Sequence, residues 1–212
     1  MKTTAEIGKK LYIFEIALLL GTVLFLASGM FAMQTQDALS EKVVRLHVLA
    51  NSDSQEDQNL KLQVRDAVLA RAEQLLLQTS DRREAESVLR GQLLELERLA
   101  SKTITEAGYE YPVSVELADT EFPTRQYDGF TLPAGEYLAL RILIGAAEGQ
   151  NWWCVVFPPL CTAASAEIPA AALAAGLEQE EVRLITEDSA NYILKFKVVE
   201  FWQSFRQRLD QK

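Results

Sequence analysis

Histidine occurs once in this sequence and cysteine twice, which leaves little material for nucleophilic or metal chemistry. The usual structural zinc sets draw four ligands from His and Cys, so a zinc site here would need carboxylates to complete it. Glycine is scarce, and none of the ten falls in a phosphate loop or in the Gly-x-Ser-x-Gly turn that exposes a serine nucleophile. Basic residues are in deficit too, 21 against 30 acidic ones, for a formal net charge of −9. An acidic surface repels phosphate backbones, and no run of Lys and Arg interleaved with aromatics offsets it, so nucleic acid is not an expected partner. No cofactor and no metal is expected.

The long apolar stretch lies at the N-terminus, from Leu11 to Met33, with Glu15 as its only charge. The uncharged run from Ile16 to Met33 is long enough to cross a bilayer. Lys2, Lys9 and Lys10 precede it while Asp37 and Glu41 follow, so the positive end stays in the cytoplasm and the remainder is exported. Residues 1–33 therefore read as a signal peptide or an uncleaved membrane anchor, contacting the membrane in either case. Ala27-Ser28-Gly29 offers small residues for cleavage, although the apolar run continues past them. Residues 34–41 are a polar connector, and 42–212 form one exported domain. The first 33 residues hold three Lys and two Glu, so the rest is one unit more acidic than the whole chain.

Within that domain the periodicity changes from strand to helix and back. Val44, Leu46 and Val48 alternate with Arg45, His47 and Leu49, giving a first strand. Asn51-Ser52-Asp53-Ser54 then caps a helix, with Asp57 three positions after Ser54. Leu60, Val64, Ala67, Val68 and Leu75 form its core stripe, and Asp57, Lys61 and Arg65 its other face, with Asp57 and Lys61 an ordinary i, i+4 pair. The oxygen-rich group Asp53, Glu56 and Asp57 lacks the glycine and the terminal Glu of a calcium loop and reads as capping. Ser80-Asp81 opens a second helix with Leu89, Leu93, Leu96, Leu99 and Ala100 on its core face, ending near Gly108. A short strand follows at Val113–Leu117, then a turn at Asp128-Gly129 and another at Pro133–Gly135. A long strand carries Leu138, Leu140, Ile142 and Ile144, and the loop Gly145–Gly149 is expected to close a hairpin onto NWWCVVF. Being apolar on both faces, NWWCVVF reads as a central strand. Pro169 starts a short helix, a charged one spans Leu177–Ile185, and a strand at Tyr192–Val198 runs into a final helix carrying Phe201, Trp202, Phe205 and Leu209. The fold class is α+β, a single domain with helices packed on a mostly antiparallel sheet.

Three readings of the chemistry-bearing residues compete. Cys154 and Cys161 in an exported domain are expected to form a disulfide, since seven positions let the chain fold back to the required Cα separation of about 6 Å. Two free buried thiols are one alternative. The other is a cysteine-dependent hydrolase with Cys154 or Cys161 as nucleophile, His47 as base, and Asn51 or Asp53 as orienter. Trp152 and Trp153 must point to opposite faces of their strand. Both are expected in the core, or else one of them joins Phe157, Pro158 and Pro159 in an aromatic patch that docks a partner.

The segments VVRLHVLANSDSQEDQNLKLQVRDAVL (43–69) and PAGEYLALRILIGAAEGQNWWCVVFPPLC (133–161), with FKVVEFWQ (196–203) and the N-terminal signal, closely resemble the stage II sporulation protein R family. The resemblance implies export from the forespore into the space between two membranes. It also implies a signalling role there: activating the membrane-embedded aspartic protease, stage II sporulation protein GA, in the mother cell. That protease processes the precursor of sigma factor E, so the chain is read as an activator and not an enzyme. The positions carried over are Arg45, His47, Asn51, Ser52, Asp53, Asp57, Lys61 and Arg65, and then Asn151, Trp152, Trp153, Cys154, Phe157, Pro158, Pro159 and Cys161. Candidates for contact with the partner among these are Arg45, His47, Asn51, Asp53, Trp152, Trp153, Phe157, Pro158 and Pro159.

Overall fold

The structure, a computed structural model, describes residues 12–23, 38–163 and 165–186. Residues 12–23 are an exposed helix, α1. Among the described residues no helix is long and apolar enough to cross a membrane. The rest of the expected signal or anchor, most of the connector, the strand at 192–198 and the final helix lie outside the described residues.

β1 (Val44–Leu49) obeys its alternation: Val44, Leu46 and Val48 face one core, and Arg45 and His47 face the other side. Ser54 caps α2 (Gln55–Leu76), its Oγ accepting from the Asp57 N–H at 3.2 Å. Asp81 caps α3 (Arg82–Glu106), its Oδ1 accepting from the N–H groups of Arg83 and Glu84 at 2.9 and 3.0 Å. Gly91 leaves α3 unbroken; its cost of about 1 kcal/mol is small beside burial of Leu89, Leu96, Ala100 and Ile104. β2 (Val113–Phe122) runs five residues past the expected end at Leu117, because it pairs all along β5 to Gly135. A two-residue turn at Asp128-Gly129 joins β3 (Arg125–Tyr127) to β4 (Phe130–Leu132), as that dipeptide predicts. β5 (Gly135–Ile144), β6 (Asn151–Phe157), α4 (Ile168–Ala174) and α5 (Gln179–Thr186) complete the described elements.

The main sheet has the order β2-β5-β1-β6. β1 runs parallel to β5, with His47 opposite Arg141, while the β2–β5 and β1–β6 pairs are antiparallel. The expected β5–β6 hairpin does not form, because β1 is inserted between the two strands. The loop that was to close it straddles the end of β1 instead, Gly149 N–H donating to Ala50 O at 3.0 Å and Glu148 N–H to Asn51 O at 3.3 Å. Among the described residues β6 is consequently an edge strand and not a central one. Its apolar character has another cause: elements cover its second half from both sides.

α2 and α3 cover one face of the sheet, over Leu46, Val48, Leu140, Ile142 and Val115. The β3–β4 hairpin with α4 and α5 covers part of the other, over Phe122, Tyr137, Ala139 and Val155. The fold is thus α+β on a mixed sheet. Beyond this second cover the sheet face is polar and half-exposed, crossed by the row Glu116, Arg141, His47 and Trp153 on four successive strands.

Candidate functional site

The corner between β1 and α2 is built first, because it fixes the start of β6. Asp57 is buried and receives Asn51 Nδ2 at 2.8 Å and Ser52 Oγ at 2.6 Å, and Tyr111 donates to it as well. Asn51 Oδ1 accepts from the Ala146 N–H at 3.0 Å, and Asp53 Oδ1 from the Gln150 N–H at 2.7 Å. Lys61, also buried, donates to Gln150 O at 2.9 Å and to the Gln58 side chain. These bonds clasp both ends of the 145–150 loop. At Gly149 a Cβ would overlap the Ser52 carbonyl oxygen, and at Gly145, where φ is +60°, it would overlap the Asn51 side chain. The expected Asp57–Lys61 ion pair is therefore absent: each turns inward to a separate end of the clasp, and neither lies on a solvated face.

On the opposite side of β1, Arg45 is fully buried without a carboxylate partner among the described residues. Its Nη2 donates to Tyr127 Oη at 2.6 Å, and its guanidinium lies 4.0 Å from the Phe122 ring centre and 5.0 Å from that of Tyr137. Nε and Nη1 meet no acceptor among the described residues. Burial pulls Arg45 below the usual guanidinium range, yet a guanidinium stays protonated in proteins, so this is a buried positive charge balanced, among the described residues, only by aromatic faces and a phenol.

His47 neighbours it on the same face, Nε2 donating to Asn151 Oδ1 at 2.8 Å, with the ring stacked near Trp153 and edge-on to Phe122. Burial holds this imidazole below its ordinary 6.5; the Asn151 bond opposes that, and Arg141 and Arg45 reinforce it. A base depressed in the folded state takes up its proton more readily when unfolded. Stability contributed by neutral His47 is therefore intact above pH 6.5 and lost as pH falls below it. Urea unfolding at pH 7.5 and pH 5.5 should show the wild type losing more stability on acidification than His47→Gln, which can keep a bond to Asn151.

Neither tryptophan is fully buried, although Trp153 packs against the second core cluster. Trp152, 38% exposed, lies under the Arg65 guanidinium at 4.3 Å, and half-buried Trp153 lies under Arg125 at 4.0 Å on the other face. Phe157 and Pro158 are buried, and only Pro159 of that group is exposed, so the three do not form an aromatic patch with either tryptophan. Between the tips of α2 and β3, along the β6 edge, opens a cleft of about 470 Å³ lined by Lys61, Arg125, Tyr127, Asn151, Trp152 and Trp153 among others. Among the described residues none lining it is acidic.

Cys154 and Cys161 are joined as a disulfide with Cα atoms 6.1 Å apart, so neither is a free thiol. Among the described residues no three His, Cys, Asp or Glu are grouped to hold a metal ion. The sequence candidates thus divide: Asn51 and Asp53 build the clasp, Arg45 and His47 lie beneath or beside the cleft, and Trp152 and Trp153 frame it. Arg125 and Tyr127 escaped the sequence reading, because only the folding of the β3–β4 hairpin against β1 and β6 brings them there. The Asp128-Gly129 turn signalled the hairpin but not its destination.

A family profile described as Stage II sporulation protein R matches residues 40–167, a stretch that begins just before β1 and ends before α4. Stage II sporulation protein R of Bacillus subtilis (strain 168) is 38% identical over 154 residues, covering 71% of this chain and 68% of that protein. No solved structure matches the chain.

Proposed function

The chain belongs to the stage II sporulation protein R family, and from that premise we propose that it acts as an exported sporulation signal that activates a membrane-embedded protease. The protease is the aspartic enzyme of the mother cell, stage II sporulation protein GA, which processes the sigma factor E precursor. The site of action is the space between forespore and mother cell. The observation that carries this reading is the extent of the family match, which takes in the clasp, the buried Arg45 and the whole β6 edge. Two features suit a binding protein better than a hydrolase. The two sulfurs are spent on each other, and the ring of His47 is engaged by Asn151 and two aromatic rings. Activation by binding requires the domain to hold the active arrangement of the protease more tightly than the inactive one.

The test is co-expression of the full chain with the protease and the sigma factor precursor in a non-sporulating host. Processing is expected to rise when the chain is present, and to rise equally with His47→Gln if that variant is folded. Precursor cleaved just as fast without the chain would sink the proposal.

A further inference from the structure

Among the described residues the outer edge of β6 pairs with no further strand, in a polar, positively charged setting. The Val155 N–H points away from β1, donating to Cys161 Sγ at 3.0 Å. In an antiparallel ladder every second residue turns its N–H and C=O the same way, and the β1–β6 register is regular from Val155 to Asn151. Trp153 and Asn151 therefore direct their backbone groups outward, into the cleft, and among the described residues no strand lies there. An edge of this kind is a template for a further strand. Asp53 and Lys61 hold the residue before it, Gln150, so the edge is pre-shaped.

Charge selects the occupant. In a chain with nine more acidic than basic residues, this cleft is lined by Lys61 and Arg125 and, among the described residues, no carboxylate; Arg65, which overhangs it on Trp152, is already paired with Asp66 at 2.6 Å. Behind Tyr127, which lines the cleft, sits the Arg45 charge with no acid among the described residues to balance it. A buried cation left without a counter-ion is costly unless one arrives. Residues 192–198 of this chain carry Lys195 and Lys197 and no acid, so they have the wrong sign for the place.

We propose that the β6 edge takes up an extended, carboxylate-bearing segment of the partner protein as a fifth strand. Its backbone pairs with Asn151 and Trp153, and its acidic side chains face Arg125 on one side and Lys61 on the other. This rests on the activator reading and assigns it a surface.

The experiment uses the full chain co-expressed with the membrane protease and the precursor, with two readouts. In the first, Arg125→Glu should slow processing about tenfold with unfolding unchanged, while Arg125→Lys keeps most of the rate. In the second, p-benzoylphenylalanine is placed at Asn59, in the cleft, or at exposed Leu94 on α3, and irradiated. Adducts to the protease from position 59 and not from position 94 support the edge. Wild-type processing by Arg125→Glu overturns it, as do adducts from position 94 alone, to a second copy of this chain, or to its own residues 192–198. If the wild-type chain does not raise processing at all, the activator reading falls and takes this site with it; failure in the variant and adduct arms alone removes only the site.

Discussion

Asp57→Ala is expected to lower the unfolding free energy by about 3 kcal/mol, since it leaves several buried donors without their charged acceptor. The donors concerned are Asn51, Ser52 and Tyr111, and the first of these also anchors the 145–150 loop. The loss should therefore spread beyond the helix cap: hydrogen exchange at Ala146 and Gln150 should rise in step with it. Acid has the same effect more gradually. Burial of Asp57 favours its neutral form, but the four donors Ser52, Asn51, Tyr111 and Ser54 outweigh this and hold the carboxyl below its ordinary 3.8. Such an acid contributes stability above pH 3.8 that disappears as pH falls through the lower folded-state value. Asp57→Asn should flatten that acid limb in urea titrations at graded pH. An unchanged acid limb would mean that Asp57 does not carry the clasp.

The helical face of Asp57 was misjudged from sequence for a physical reason. Four-residue spacing puts Asp57, Lys61 and Arg65 on one stripe, and charged stripes usually face water. Here the stripe meets the end of an inserted strand and its loop: the Asn51 and Ser52 side chains engage Asp57, and the Gln150 carbonyl engages Lys61. Local signals fared better. Ser54, Asp81, Pro169 and Asp128-Gly129 each act within a few residues, and each marks the boundary or turn expected of it. Strand order was hidden because β5 and β6, near in sequence, read as a hairpin, and nothing in their composition says that β1 enters between them. The site inherits that blind spot. Trp152 and Trp153 were legible as unusual, but only their place on the last described strand explains why an arginine covers each, Trp153 packing on the core as well.

Arg45→Met should separate stability from function. Exchanging an unbalanced buried charge for an apolar side chain of similar length is commonly neutral or stabilising by about 1 kcal/mol. Arg45→Ala should instead cost about 3 kcal/mol through the cavity it opens beside Phe122 and Tyr137. If the Arg45 charge serves the acidic segment in the cleft, the Met variant should be at least as stable to urea as the wild type and yet activate precursor processing about tenfold less. A Met variant that is several kcal/mol less stable would show that Arg45 is held for packing through Tyr127 and the rings. A stable Met variant with full activity would show that the charge has no role in signalling.

The insertion of β1 between β5 and β6 also sets a timetable. Arg45 pairs with Ala139 and Val155, partners roughly a hundred residues further along the chain. On the proposed export, amino end first, the chain would deliver its central strand long before either neighbour. α2 and α3 can form as they emerge, because their contacts are local, but the sheet must wait for Phe157 and for the entropy of a long loop to be overcome. The cleft at the β6 edge is the last part of the sheet to exist. Binding competence would then be acquired only after the chain has emerged through β6, so an incompletely exported molecule would be silent.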